Sequence, residues 1–270
     1  MAFEEAKSAG VNYLERKGSG TVVVCLHGIG SNASSFEVLL PYLPDNWRVI
    51  AWNAPGYAGS EPLVEEWPLA LNYAQALKAF LDRLGVKKCH IFGHSLGTLM
   101  ASSFAKLYPD MVDKLILASC ALGHGVKVGS QLSEQAKARL DDLDNLGADA
   151  FAKARAGNLV YQPEKNPQLV ERVYQTMRTV SNPGYSQAVH MLASGQLLKD
   201  CEHLNVPVSV IVGAQDQITP LDNNGQVWSV VKKHSRHGFV SVPDAGHALY
   251  QQAPEAVAQF MIRELEQRNV

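Results

Sequence analysis

A serine between two glycines is the strongest sign of chemistry in this chain. Residues 93–97 read Gly-His-Ser-Leu-Gly, with Ser95 between an apolar run and a helical pattern. A serine at a sharp strand-to-helix turn adopts a strained backbone conformation, and the flanking glycines let neighbouring backbone pass without a clash. Its hydroxyl would project at the helix amino terminus as a nucleophile. The alternative is a glycine-bounded turn whose serine only caps the helix.

Such a serine needs a general base, and the base needs an acid to orient it. Among the nine histidines we favour His247, which follows the last predicted strand and precedes the last predicted helix. Asp216 directly follows the strand-like run 207–212 and is the preferred acid. Asp222 is the alternative acid, although its place just after Pro220 also suits a helix start.

Four further histidines are candidates for metal binding or substrate contact. His234 and His237 have the spacing of metal ligands, but lysines lie beside them and no third ligand is near, so a solvated helix end is the preferred interpretation. His124 and His190 lie within residues 122–196, where each could contact a substrate or only pack. We therefore predict no metal site.

The charge that develops on a substrate carbonyl oxygen needs hydrogen-bond donors. The backbone amide of Leu96, at the start of the predicted helix, has no partner within that helix and is one candidate. The amide of Ile29, in the loop after the strand-like run 21–26, is the preferred second donor. His27, at the start of this loop, would brace it rather than act as a base.

The same loop also fits a dinucleotide-binding pattern. Residues 28–33 read Gly-Ile-Gly-Ser-Asn-Ala, which matches G-x-G-x-x-G/A. A ribose-binding acid would be needed at the end of the next strand, where Asn53 stands instead, and cofactor binding would leave Ser95 and His247 unexplained. We therefore predict that the protein uses no cofactor.

Six short apolar runs alternate with helical patterns and must position these residues. The runs are rich in β-branched residues, and several are too uniformly apolar to have a wet face, which favours a parallel sheet covered by helices on both sides. The order predicts an α/β domain with its site at the carboxyl ends of the strands. The predicted strands are 21–26, 47–52, 88–92, 112–119, 207–212 and 238–243, and the predicted helices are 68–84, 96–108, 221–233 and 253–267.

One segment interrupts this alternation. Residues 122–196 carry Ala, Leu, Asp, Arg and Gln in helical spacing, with no convincing strand. We predict a helical cap there, and a core formed by residues 1–121 and 197–270. A cap inserted between two sheet strands would cover the strand ends and could exclude water from a site there.

Composition narrows the range of partners. The 270 residues are 46% hydrophobic, and 24 basic against 26 acidic side chains give a net charge of −2. This is an ordinary globular composition without the basic stripe that nucleic acid binding requires. No apolar stretch approaches the length of a membrane span, and no signal peptide is apparent. We expect a small-molecule substrate, no nucleic acid and no membrane, and leave a homo-oligomer open.

The four cysteines are widely scattered, and three lie inside apolar runs. Because they have neither paired nor metal-ligand spacing, we interpret them as buried reduced thiols. Reduced thiols and the absence of a signal peptide favour a cytoplasmic location.

Together these residues resemble the α/β-hydrolase fold family across essentially the whole chain. The order Ser95, Asp216, His247 is the order of that family, whereas chymotrypsin-like and subtilisin-like enzymes permute it. The matching stretches are HGIGS (27–31), NAPGYAGS (53–60), GHSLG (93–97), GAQDQITP (213–220) and DAGHALYQQAPEAV (244–257).

Within that family the chain is most similar to 3-oxoadipate enol-lactonase-like enzymes and small carboxylesterases. Meta-cleavage-product hydrolases, which split carbon–carbon bonds with the same triad, are also related. They usually have Gly-Pro-Gly in the oxyanion loop and Trp after the base, where this chain has Ser31-Asn32 and Ala248. The family usually has Asp at the position of Asn53.

The resemblance implies a cofactor-independent serine hydrolase that cleaves small carboxylic esters or (enol-)lactones through an acyl-enzyme, with a place in aromatic compound catabolism. A carbon–carbon hydrolase, an amidase and a receptor without turnover remain alternatives. An enol-lactone or dienoate substrate carries a carboxylate that a cation must pair. The candidate cations of the cap, each by default a solvated surface residue, are Arg139, Arg155, Arg172 and Arg178.

Overall fold

The computed structural model describes residues 2–234 and 238–266 and is built around an eight-stranded sheet. The strand order is β1-β2-β4-β3-β5-β6-β7-β8. β1 and β2 form an antiparallel hairpin, β2 pairs antiparallel with β4, and the other strand pairs are parallel. The strands are β1 (Glu4–Ser8), β2 (Val11–Arg16), β3 (Val22–Leu26), β4 (Arg48–Trp52), β5 (Cys89–His94), β6 (Val112–Ala118), β7 (Val208–Gly213) and β8 (Phe239–Val242).

Helices cover both faces of this sheet. Within the described residues the α-helices are α1 (Ala70–Arg83), α2 (Leu96–Leu107), α3 (Glu134–Arg155), α4 (Pro167–Met177), α5 (Gly184–Ser194), α6 (Leu197–Cys201), α7 (Leu221–Val231), α8 (Leu249–Gln252) and α9 (Pro254–Glu266). Short 3₁₀ helices are formed by Ala33–Tyr42, Pro109–Met111, Ala156–Leu159, Pro163–Lys165 and Lys232–His234. None of these described helices has the length and hydrophobicity needed to span a bilayer.

The apolar strands are buried between two hydrophobic cores. One face of the sheet packs against α1, α2 and α7, with Phe80 and Phe104 fully buried there. The other face packs against Ala33–Tyr42 and α9, with Phe36 and Phe260 in that core. Because helices cover both faces, a strand such as β7 is buried at every residue. This arrangement confirms the predicted α/β fold.

The structure agrees with the predicted elements but adds a hairpin and a 3₁₀ helix that the sequence did not predict. All six predicted strands form within two residues of their expected bounds, and so do the four predicted helices where they are described. The β1–β2 hairpin was not predicted, because β1 is largely exposed and lacks an apolar run. Its turn places Ala9 and Gly10 at positive φ. The 3₁₀ helix Ala33–Tyr42 was also missed.

The chain between β6 and β7 is helical and lies over the carboxyl ends of the strands. It meets the loop after β4 where Gly56 lies against Gly184, and its own two ends meet where Gly123 lies against Gly195. A Cβ on Gly56 would lie 2.3 Å from Cα of Gly184, and a Cβ on Gly123 would lie 2.2 Å from the carbonyl oxygen of Gly195. Only glycine fits these approaches, so the helical segment is seated closely on the rest of the domain.

Candidate active site

Ser95 lies at the turn between β5 and α2, in a backbone conformation that residues other than glycine rarely adopt. Its φ is 52° and its ψ is −118°, and its amide donates to the carbonyl of Ala118 on the neighbouring strand at 2.9 Å. A Cβ on Gly93 would lie 2.7 Å from the carbonyl oxygen of Gly97, and a Cβ on Gly97 would lie 2.3 Å from that of Leu26. The two glycines are thus needed to hold the serine in this turn.

The structure brings the three predicted residues of the triad together. His247 Nε2 lies 3.0 Å from Ser95 Oγ, and His247 Nδ1 lies 2.9 Å from Asp216 Oδ2. All three residues are buried, with 3–6% of their surface exposed. In this arrangement Nδ1 of a neutral imidazole donates to the carboxylate, and Nε2 is left to accept the serine proton.

The acid is held by a loop that follows β7. Asp216 Oδ1 accepts from the amides of Ile218 and Thr219, at 2.9 and 2.8 Å, and Oδ2 accepts from the Thr219 hydroxyl at 2.8 Å. Burial by itself would raise the pKa of Asp216, but the neighbouring His247 and the hydrogen bonds from His247 and Thr219 outweigh it and hold the pKa well below its usual range. Asp216 is therefore ionised near neutral pH.

The loop after β3 lies directly against the nucleophile. Gly28 through Ser31 form a turn closed by a 3.2 Å hydrogen bond from the Ser31 amide to the Gly28 carbonyl. Ile29 lies within this turn and lines the same cavity as Ser95. A Cβ on Gly28 would lie 2.9 Å from Cβ and 3.4 Å from Oγ of Ser95. Leu96 is the first residue of α2, so its amide has no intrahelical partner.

His27 and Asn53 hold this loop in place. The Ala54 amide donates to His27 Nε2 at 3.0 Å, so Nδ1 carries the proton and donates to the Gly28 carbonyl at 2.9 Å. Burial lowers the pKa of His27 to about 4, which leaves the ring neutral. Asn53 Oδ1 accepts from the Ala33 amide at 2.8 Å, so the loop has an anchor at this position without an aspartate.

The other candidates differ in their positions. Asp222 is exposed in the first turn of α7, and the carboxylate that contacts the His247 imidazole is that of Asp216. His190 stacks on Trp67 and bonds the Glu66 carbonyl, whereas His124 lines the cavity beside Ser95. His237 and the side chain of His234 fall outside the described residues.

Ser95 faces a cavity of about 740 Å³ between the sheet and α3, α4 and α5. Its walls combine polar and apolar surface in similar amounts, with Leu122, Phe151 and Met177 among the apolar residues. Arg139 and Arg155 from α3 also line it, and no Asp or Glu of the described residues does.

The four arginines of this segment differ in their surroundings. Arg155 forms an ion pair with Asp142, whereas Arg139 interacts with the Tyr185 hydroxyl and has no ion pair within the described residues. Arg172 reaches the Gln251 carbonyl and Arg178 pairs with Asp149, and neither lines the cavity.

Two further residues contact the site, and the sequence pattern did not predict either contact. The Thr219 hydroxyl donates to the acid and lies 3.2 Å from His247 Nδ1. His94 places its Nε2 2.8 Å from the His247 carbonyl oxygen. Both stand inside stretches that carried the family resemblance, and only their spatial neighbours distinguish them. No group of three His, Cys, Asp or Glu side chains in the described part of the chain could hold a metal ion.

Comparison with known proteins places the chain in a family. Residues 21–254 match the family model of the alpha/beta hydrolase fold. The chain is 26% identical to 3-oxoadipate enol-lactonase 2 of Acinetobacter baylyi, over 85% of this chain and 83% of that protein. It is 28% identical to a 2-hydroxy-6-oxononadienedioate/2-hydroxy-6-oxononatrienedioate hydrolase of Pseudomonas sp, over 81% and 80%.

A solved structure agrees with this assignment at the level of the fold. The chain superposes on a thermophilic esterase from Thermogutta terrifontis with a TM-score of 0.82 and 23% identity, over 99% of both chains. The family match covers most of the described sheet, from β3 to the start of α9. The chain therefore belongs to the α/β-hydrolase fold family and is a hydrolase.

Proposed function

We propose that this protein is a cofactor-independent serine hydrolase that cleaves small carboxylic esters or lactones through an acyl-enzyme. The observation that carries the proposal is the buried chain of hydrogen bonds from Asp216 through His247 to Ser95. Each group has the neighbour that its part in acyl transfer requires. The cavity in front of Ser95 provides room for a small substrate.

Acylation starts when Ser95 Oγ attacks the carbonyl carbon of the substrate and its proton passes to His247 Nε2. The amides of Ile29 and Leu96, on either side of the nucleophile, donate to the oxygen that becomes negative. The tetrahedral intermediate then collapses, and the leaving alkoxide takes the proton from His247. In a lactone the leaving group stays attached to the acyl chain.

Water then attacks the acyl-enzyme and gives its proton to His247, which returns it to Ser95 as the acid product leaves. During both acylation and deacylation, Asp216 holds the His247 imidazole in the required tautomer and stabilises the imidazolium. Its two backbone amide donors and the Thr219 hydroxyl keep the carboxylate fixed while the charge on the base changes.

For residues 122–196 we propose the role of a cap that selects the substrate. The segment supplies much of the cavity wall, whereas Ser95, Asp216 and His247 all lie outside it. The guanidinium groups of Arg139 and Arg155 suit a substrate that carries a carboxylate away from the scissile bond. The same feature keeps a carbon–carbon hydrolase of ring-fission products as the second candidate, in line with the name of the Pseudomonas relative.

A substrate panel tests the proposal. The purified enzyme is assayed with p-nitrophenyl esters, enol-lactones and dienoate ring-fission products, each beside the Ser95→Ala variant. We expect serine-dependent hydrolysis of the esters and lactones. Serine-dependent cleavage of the dienoates with little activity on esters would favour the second candidate, and activity that persists without Ser95 would exclude both.

A further inference from the structure

A buried imidazole next to the nucleophile has no part in the reaction described so far. His94 is the last residue of β5 and only 6% exposed. Its Nε2 lies 2.8 Å from the carbonyl oxygen of His247, the base itself. The two imidazole rings are 5.0 Å apart, and Tyr250 packs edge-on against the His94 ring at 4.9 Å.

The direction of this hydrogen bond follows from its partners. A carbonyl oxygen can only accept, so the proton of His94 must be on Nε2. Nδ1 then carries no proton, in agreement with its having no hydrogen-bond partner in the described residues and facing Gly28. Burial, together with the nearby His247, lowers the pKa of His94 to about 3. The His94 ring is therefore a neutral hydrogen-bond donor near neutral pH.

The carbonyl that His94 holds belongs to a loop with little regular structure. Asp244, at the start of this loop, has a φ of 56°, and α8 begins only at Leu249. Two further hydrogen bonds anchor the loop. The Gly246 amide donates to the side-chain oxygen of Gln252, and the Ala248 amide donates to the Leu159 carbonyl. Because His94 adjoins Ser95 in the chain, its bond ties the backbone of the base directly to the nucleophile.

We infer that His94 is a positioning residue, whose Nε2–H holds the backbone of His247 so that the base stays within hydrogen-bond distance of Ser95. This inference rests on the proposed serine mechanism. An error of about 1 Å in the placement of a reacting group can cost on the order of a hundredfold in rate. A neutral donor performs this task without a charge that would oppose the imidazolium formed at His247.

The test measures how fast Ser95 reacts with a fluorophosphonate. In this reaction Ser95 Oγ displaces fluoride from phosphorus, and its proton passes through His247 to solvent. His94→Gln keeps an N–H donor of similar reach, and His94→Met fills a similar volume without one. His90→Met, at a histidine on the same strand, is the matched control. Mass spectrometry locates the label, and thermal melting checks the fold of each variant.

We expect His94→Met to label at least about tenfold more slowly, with His94→Gln within about threefold of wild type and His90→Met unchanged. With an ester substrate the loss should appear in kcat rather than KM. Equal labelling of all variants, or equal loss in His94→Gln and His94→Met, would overturn the positioning role. A wild-type protein that is not labelled at Ser95 would instead refute the proposed function.

A second measurement remains if His94→Met does not fold. The ¹⁵N shifts of His94 in the wild-type protein report which ring nitrogen carries the proton. We expect a neutral ring protonated at Nε2 near neutral pH. A proton on Nδ1 alone, or a doubly protonated ring, would contradict the inference.

Discussion

The two sides of the cavity differ in how firmly their polar side chains are held. One side consists of the loops at the strand ends, and the other is the wall formed by residues 122–196. On the sheet side, the Asp216 carboxylate accepts three hydrogen bonds from its own loop and one from His247, and Asp216, Thr219 and His247 are all buried. On the other side, Arg139 is partly exposed and interacts with a single hydroxyl. The contrast fits the proposed division, in which the sheet side would perform the chemistry and the helical side would select the substrate.

The largest effect is expected on the sheet side, at the nucleophile. Ser95→Ala should lower kcat/KM at least about 10³-fold while the melting temperature stays close to that of wild type, since the hydroxyl adds little to packing. Steady-state kinetics and thermal melting check this. Hydrolysis at the wild-type rate by a folded Ser95→Ala variant would contradict the separation of roles.

Next in size is the acid. Asp216→Asn should lower kcat by about 10²- to 10³-fold, because an amide can accept Nδ1–H less strongly and permits the wrong tautomer of His247. Asp222→Asn is the matched control, since Asp222 is exposed on α7. The assignment of the acid is wrong if Asp222→Asn is the damaging change.

A smaller loss should follow from crowding the oxyanion loop. A Cβ on Gly28 would lie 2.9 Å from Cβ of Ser95, so Gly28→Ala must shift the loop or the nucleophile. We expect a loss in kcat of about ten- to a hundredfold. A Cβ on Gly225 meets nothing within 4 Å, and Gly225→Ala should retain full activity. Similar kinetics for both variants would show that the loop is not held against Ser95.

On the helical side the expected effect is on KM. Arg139→Ala should raise KM for the mono-p-nitrophenyl ester of succinate about tenfold, because the loss of one charge-assisted hydrogen bond weakens binding by roughly that factor. KM for p-nitrophenyl acetate, which carries no carboxylate, should not change. Arg178→Ala is the control, because Arg178 pairs with Asp149 outside the cavity. Unchanged kinetics in both variants and toward both esters would remove Arg139 from substrate selection.

The last expected effect is on stability in acid rather than on activity, and it should originate on the sheet side. Burial lowers the pKa of His27 to about 4 and that of His94 to about 3, so the unfolded chain binds protons below pH 6.5 that the folded chain does not. Each should reduce the free energy of unfolding by roughly 1.4 kcal/mol per pH unit below about 6.5, down to its folded pKa. Urea unfolding at pH 7, 6 and 5 checks the decline, and a flat profile would contradict it.

The sequence predicted the parallel strands and the three residues of the triad because both leave local patterns. Buried strands are continuous apolar runs, and a serine between glycines marks a sharp turn. The exposed strand β1 has no such run and was missed. The contacts of Thr219 and His94 were missed for another reason, since each depends on a residue at least 28 positions away or on the exact path of a loop.

The choice among the four arginines shows the same limit. Their sequence surroundings are alike, and only the packing of α3 and α4 places Arg139 and Arg155 at the cavity and Arg172 and Arg178 outside it. Helical spacing predicts that such residues lie on a helix, but not which neighbour their helix face will meet. Residues that would select a substrate were therefore less predictable than residues that would perform the chemistry.

The proposed mechanism depends on an acyl-enzyme, and the mass of that intermediate tests the mechanism directly. The enzyme is mixed with a p-nitrophenyl ester, quenched in acid during turnover, and analysed as intact protein and as peptides. We expect one acyl group per chain, located on Ser95 and missing from the Ser95→Ala variant. Turnover with no acylated chain in the quenched samples, or an acyl group on another residue, would contradict it.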